Sequence, residues 1–375
     1  GQAGKGVIEK VDNYTVRINL PKPDITIIPG MCDYPALIVH RDYDGSDISN
    51  GHPGTGPFEM VSHEVGIRSV VKKRPAGSWW GGDAHVDRIE FLDYGTDPSS
   101  FLAAYEADEI DMNWETSGDY VEIFDGLGLN HSTAVTAATI CIRPNQVAEV
   151  NGKKPYADVR VRRAIALAVD NAKVLELGVA GKGIPAENHH VCPIHPEYAK
   201  LPPIKRDPAK AVALMKEAGM ADYEHDLISI DDDWRRASCD SVAAQMRDAG
   251  LNVKRTVLPG STFWNDWTKY PFSATNWNMR PLGVQIMALA YRSGEAWNES
   301  GFANKEFDDT LTKALSIADA DKRRVYSEKL QRIMQDEGVT IQPYWRTIGR
   351  HYKDNVHGAE QHPTYELYVE HLWLS

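Results

Sequence analysis

The spacing of apolar positions changes character along this chain near residue 155. Before that point period-two alternation dominates. Val7, Val11, Val16 and Ile18 fall in near alternation, and "YTVRINL", "FEMVSHEV", "IRSVVKKR" and "VDRIEFLDY" each read as strands. Turn clusters such as "GHPGTGPF" and "GSWWGGD" separate them. One helix interrupts the series, with Asp97 as N-cap, Pro98 at its first position and "SSFLAAYEA" as its body.

Beyond residue 155 helical spacing takes over. A helix opening at Asp158 puts Val161, Ile165, Ala168 and Val169 on one face, and a second runs from Asp207 and Pro208 to Gly219. The strand "LISI" then ends in "DDD" and feeds a helix from Trp234 to Ala249, which Gly250 terminates before "LNVKRTVL" resumes alternation. Strand, helix and strand in about 30 residues form a βαβ signature, a parallel pair with its crossover packed on the sheet. Amphipathic helices are expected near 304–317 and 321–337, followed by the strand "VTIQPYW". The tail from 347 to 375 reads as short strand-like pieces. The pattern predicts two α/β lobes.

Composition narrows the function. With 375 residues, 42% apolar and 25% charged, the chain can bury two ordinary cores and is not disordered. The 41 basic and 53 acidic residues leave a net charge of −12, which opposes a polyphosphate partner, so no nucleic acid is expected. The longest apolar runs, "AIALAV" and "IMALAY", fall far short of the roughly 20 residues needed to span a bilayer. Cys32, Cys141, Cys192 and Cys239 form no CxxC and read as small buried hydrophobes, with one long-range disulfide left open. No export signal is visible in the first residues, and the abrupt start reads as a chain that begins inside a domain.

Catalytic templates fail: there is no P-loop, no GxGxxG after a strand, no GxSxG elbow, and "SHEVG" lacks the second histidine of HExxH. No enzyme and no cofactor are expected. The stretch "HHVCPIH", residues 189–195, offers zinc-type ligands, but it lies in a proline-punctuated run without periodicity and reads as a solvated surface loop rather than a metal site.

Two stretches suit a small-molecule cleft. The "DDD" at 231–233 stands where open α/β sheets place ligands, at the end of a strand and the start of a helix, although Asp233 as a helix cap is the simpler explanation. Trp234 beside it reads as either core or cleft floor. Residues 273–308 gather Trp277, Asn278, Arg280, Tyr291, Trp297 and Asn298, flat aromatic surface mixed with hydrogen-bonding groups. A guanidinium in such a place needs an anion, supplied either by a ligand or by an internal acid such as those at 231–233.

Ordered motifs then point to a family. The run "GTGPFEMVSHEVGIRSVVKKRPAGSWWGGDAHVDRIEFLDYGTDPSSFLAAYEADEIDM", followed by "KPYADVRVRRAIALAVDNAKV", "DPAKAVALMKEAG" and "FANKEFDDTLTKAL", resembles the extracellular solute-binding proteins of family 5, the receptors of peptide and nickel ABC importers. The resemblance implies a hinged two-lobe type II periplasmic-binding-protein fold. It implies a receptor that hands a small-molecule or peptide solute to ABC transporter permease subunits. A periplasmic or extracellular location and a monomer are expected on the same ground. Residues 1–140 with 346–375 would form a first lobe incomplete at its N-terminus, residues 146–341 the second, with crossings near 139–146 and 341–346 as the hinge. Asn145, Tyr344 and Trp345 are then expected near the cleft. The family's peptide binders read a ligand amine with an aspartate after the tryptophan that Trp277 matches, but "NWNMRPLG" carries Arg280 there. That reversal predicts an acid-bearing solute stacked on Trp277 and Trp234 with Arg280 on its carboxylate. A hydrolase, a metal protein using the His/Cys loop, or a transporter-independent chemoreceptor module is the alternative.

Overall fold

The computed structural model describes residues 7–45 and 54–375, so the first six residues of the expected first lobe and residues 46–53 lie outside the description. Strands β1 (Ile8–Lys10) and β2 (Val16–Ile18) pair antiparallel, and β3 (Phe58–Glu64), β4 (Arg68–Lys73) and β5 (Arg88–Leu92) form an antiparallel sheet. The main sheet takes β6 (Asn130–Pro144), β7 (Gly183–Pro185), β8 (His225–Ile230), β9 (Val253–Leu258), β10 (Phe272–Trp277) and β11 (Tyr344–Tyr352). Among the described residues its order is β7-β11-β6-β10-β8-β9. The expected βαβ unit is present: β8 and β9 are parallel neighbours joined by the helix Asp233–Asp248. A pair of two-residue strands, β12 (Val356–His357) and β13 (Trp373–Leu374), closes the chain.

The long strand β6 explains how one sheet serves two environments. Its first residues alternate between exposed and half-buried, whereas every residue from Thr136 to Pro144 is buried. Continuous burial means cover on both faces, and side-chain parity shows it. Ile140 and Ile142 enter a core shared with the helices Val159–Leu167, Pro208–Glu217 and Asp233–Asp248. Cys141, pointing the other way, joins a core with Gly283–Ala290, Lys305–Leu315 and Ala320–Asp336. Phe272 and Ala274 of β10 follow the first pattern and Trp277 the second.

The helices start on one recurring device. Asp97, Asp158, Asp207 and Asp319 each accept a hydrogen bond from the backbone N–H two or three residues on, satisfying a donor that the helix itself cannot. The strand expected at 339–345 differs from what forms. Ile341 makes an isolated bridge to Ile142, and regular pairing begins only at Tyr344, after Pro343, which has no N–H to donate. It then runs to Tyr352 through what read as broken pieces of tail.

Around the three-stranded sheet burial is sparse. Val70 is fully buried, but Met60, Val61 and Phe91 are 45%, 52% and 41% exposed, and the local core is Val356, Ala359 and Leu372 against Val86, Ile89 and Met112.

Candidate functional site

At the C-terminal ends of the neighbouring strands β8 and β10 a cavity of about 970 Å3 opens. Crevices at this end of an α/β sheet are where ligands bind, because helix starts and strand ends leave backbone groups and loop side chains free there. Asp232, Asp233, Trp234 and Arg235 contribute from the start of the helix after β8, and Asn276 and Asn278 from the end of β10. The remaining wall includes Thr96, Trp114, Glu115, Thr116 and Tyr365. Thr96 Oγ1 donates to the Asp231 carbonyl at 3.2 Å, joining the two groups of wall residues.

Trp234 is the aromatic floor, 4% exposed, its remaining surface packed in the core. Two guanidinium groups attend it, with Arg346 Cζ 3.7 Å and Arg235 Cζ 4.8 Å from the ring centroid. Arg346 pairs with the Glu115 carboxylate and donates through Nη1 to Tyr365 Oη at 3.2 Å, and Tyr365 in turn donates to Glu115 Oε2 at 2.8 Å. Arg346 Nε, also buried, has no hydrogen-bond partner among the described residues. Arg235 donates from Nε to Asn276 Oδ1 at 3.1 Å and pairs through Nη1 with Asp232 Oδ2 at 2.6 Å. Trp114, 53% exposed, stacks on Tyr365 at 6.0 Å and offers a second flat surface.

Asp233 is the charge out of balance. The cap is Asp232, whose side chain accepts from Arg235 N, so Asp233 begins the helix instead of capping it. Although Asp233 keeps solvent access, partial desolvation and then the like charges of Asp232, Asp119 and Asp97 push its carboxyl pKa up, and no ion pair forms to it among the described residues. Gly118, with φ +62°, brings its backbone close: a Cβ there would sit 3.1 Å from Asp233 Oδ2.

The other residues expected at a cleft are elsewhere. Trp277 is buried and donates from Nε1 to Glu299 Oε1 at 2.9 Å, on a carboxylate that also accepts from Thr275 and pairs with buried Arg143. Arg280, 5% exposed, pairs through Nε with Asp33 Oδ2 at 2.8 Å and donates from Nη1 to the Asn278 carbonyl. The acid that Arg280 meets is thus not one at 231–233 but Asp33 of the N-terminal segment, which docks here as Tyr34 stacks on Trp297. Asn145 organises a turn, accepting from Val147 N and Ala148 N. Trp345 is fully buried with Ala137, Ala186 and Cys192. Tyr344 lies beneath the cleft: its hydroxyl is 2.6 Å from Ser238 Oγ, which donates to the Trp234 carbonyl, so it props the helix that carries the floor. Of the expected residues, Trp234 and Asn278 line the cavity.

"HHVCPIH" is likewise not the solvated loop expected. His189, His190, Cys192 and His195 are all buried, and their polar groups diverge to separate partners. His189 Nε2 is 3.1 Å from Glu187, His190 Nδ1 is 2.9 Å from Tyr291 Oη, and His195 Nε2 donates to the Arg280 carbonyl at 3.0 Å. Consecutive turns fold the segment, with His195 N donating to the Cys192 carbonyl, while side chains distant in sequence satisfy its rings. Burial lowers the His195 pKa to about 4 and raises the Cys192 thiol to about 12, so both stay neutral near pH 7. All four cysteines are free.

A family model described as "Bacterial extracellular solute-binding proteins, family 5 Middle" matches residues 3–298. The chain belongs to this family. Among curated family relatives, the heme-binding protein A of Haemophilus influenzae is 24% identical, the match covering 91% of this chain and 64% of that protein. The dipeptide-binding protein of Escherichia coli is 21% identical, covering 97% and 71%. The chain thus spans about two thirds of the length of such relatives. The solved murein tripeptide-binding protein of Escherichia coli superposes with a TM-score of 0.86 at 19% identity, over 98% of this chain and 74% of that one. The fold is therefore that of the two-lobe binding proteins.

Proposed function

We propose that this chain is the capturing part of an ABC-importer receptor that closes on a peptide-like solute carrying a positive amine and delivers it to a membrane permease. The single observation behind this reading is the 970 Å3 cleft, which joins the aromatic surfaces of Trp234 and Trp114 to an unbalanced carboxylate, Asp233. An ammonium group beside Asp233 would relieve the like-charge crowding, and the buried Arg346 Nε–H suits a ligand carbonyl oxygen. Asn276 and Asn278 would bond the backbone of such a solute.

In this reading residues 1–140 and 346–375 act as one lobe and 146–341 as the other, with the paired crossings of β6 and β11 as the hinge. Closure follows from differential affinity: solute that touches both walls binds the closed form better and shifts the population toward it. The location is the periplasm or cell exterior, the working unit is a monomer, and the solute leaves chemically unchanged. Native mass spectrometry of the purified chain, followed by thermal-shift measurement with di- and tripeptides and their N-acetylated counterparts, tests this. Stabilisation by free peptides and its loss on acetylation are expected. Equal response to both forms would remove Asp233 as the amine site, and recovery of cleaved peptide would overturn the receptor reading.

A further inference from the structure

A second group of chemistry-bearing side chains lies outside the cleft, where β6 and β11 pair. His131 and His351 are directly cross-strand, their rings stacked with centroids 4.2 Å apart, and both turn a nitrogen toward one carboxylate. Asp125 Oδ1, from the helix Tyr120–Gly126, is 3.2 Å from His131 Nδ1 and 3.0 Å from His351 Nε2. The three donor atoms all lie within 4.8 Å of one another. Bonds of about 2.1 Å at tetrahedral angles put ligand atoms about 3.4 Å apart, so the grouping already has the dimensions of a metal site.

We propose that Asp125, His131 and His351 bind a zinc-class divalent transition metal through Oδ1, Nδ1 and Nε2, leaving the remaining position to solvent. Two imidazoles and one carboxylate are the donor set of such ions rather than of calcium or magnesium, which take oxygen. The surroundings are those of a built site. His351 is fully buried, and its other nitrogen, Nδ1, meets Thr116 Oγ1 at 2.8 Å, which fixes the ring, while Asn113 Nδ2 donates to the same hydroxyl at 2.7 Å. His131 and Asp125 are 22% and 48% exposed, which leaves an entry path. The rings are 19° from parallel and must splay for both lone pairs to meet one ion. His131 has the room because position 349 is glycine: a Cβ there would stand 2.7 Å from its Nε2. A bound ion would clip the helix Tyr120–Gly126 to both strands, independently of what the cleft holds.

The test is equilibrium dialysis of the tag-free, chelator-treated chain against Zn(II), with Co(II) as the spectroscopic probe. One equivalent of zinc is expected, with visible Co(II) bands stronger than those of the aqueous ion. Asp125→Asn and His131→Ala alter exposed groups and should keep the fold by circular dichroism while weakening zinc at least about tenfold, and Thr116→Val should cost about tenfold through the His351 ring. Absence of stoichiometric zinc, or equal zinc affinity in wild type and both exposed-residue variants, would overturn the site and leave a hydrogen-bonded cluster that only ties the helix to the sheet.

Discussion

Two clusters in this molecule contain the same three ingredients, an indole, a guanidinium and a carboxylate, yet only one faces a cavity. Around Trp277 the charges pair with one another: Glu299 takes the indole N–H, the Thr275 hydroxyl and Arg143, and Arg280 is matched by Asp33, with buried Arg143 Nε left without a partner among the described residues. Around Trp234 the pairing of Arg346 with Glu115 and of Arg235 with Asp232 leaves Asp233 and one Arg346 N–H over, at the wall of an open cleft. Residue types therefore do not mark a ligand site. What distinguishes the Trp234 cluster is where its leftover groups sit: the buried Arg346 Nε–H and the exposed Asp233 carboxylate stand at an open cavity, whereas Arg143 Nε, equally without a partner, does not line it.

Glu299→Ala should separate the clusters most sharply. It strands Arg143 in the core without its anion, and a loss of about 3–5 kcal/mol in urea unfolding is expected, with solute affinity per folded molecule unchanged. A loss below 1 kcal/mol would mean the sealed cluster is not a structural unit. Arg280→Ala should act alike but less, about 2 kcal/mol of stability, because a charge-assisted pair is broken and the Asp33 carboxylate left behind keeps some access to water. Reduced affinity with intact stability would return Arg280 to the ligand. Asp233→Asn should reverse the pattern. Relief of like-charge crowding leaves stability equal or slightly higher, while calorimetric affinity for a free-amine peptide falls about tenfold, near 1.4 kcal/mol.

Acid should probe two buried histidines away from the cleft, His195 beside Arg280 and His225 against Tyr156 and Phe272. Burial lowers His195 and His225 from 6.5 to about 4, so between these values the unfolded chain binds more protons than the folded one. Stability contributed by these neutral rings is present above pH 6.5 and lost as pH falls toward 4. Urea midpoints measured across that window should decline, and the decline should shrink in His225→Gln. The smallest effect is expected from Asp232→Ala, where loss of the cap costs about 1 kcal/mol and frees Arg235 to approach Asp233.

Local structure was largely legible from the sequence because its causes are local. Aspartate caps and helical spacing located Pro98–Glu106, Val159–Leu167, Pro208–Glu217 and Asp233–Asp248 to within a residue or two. The strand β6 was not read as an element, since "NHSTAVTAATICIRP" is half-exposed at one end and covered on both faces at the other, which mixes two patterns. The site was harder. "PYWR" drew attention to Tyr344 and Trp345 at a crossing, yet the residue in the cleft is Arg346, one position on. Asp33 and Arg280 are 247 positions apart, and nothing in either segment announces the other. "HHVCPIH" read as solvated for the same reason, its partners Tyr291 and Gln331 being remote in the chain.

The guanidinium of Arg346 resting 3.7 Å above Trp234 has a consequence for how the protein would respond to its cargo. Trp114 is the aromatic face left open, and the indole floor of the cleft is already covered by a side chain from β11. An incoming group can stack there only by displacing that side chain or by lying on top of it, so measured affinity is the outcome of a competition inside one molecule. Whatever loosens the grip of Glu115 and Tyr365 on Arg346 tunes that competition without touching the cargo, as a spring rather than a lock.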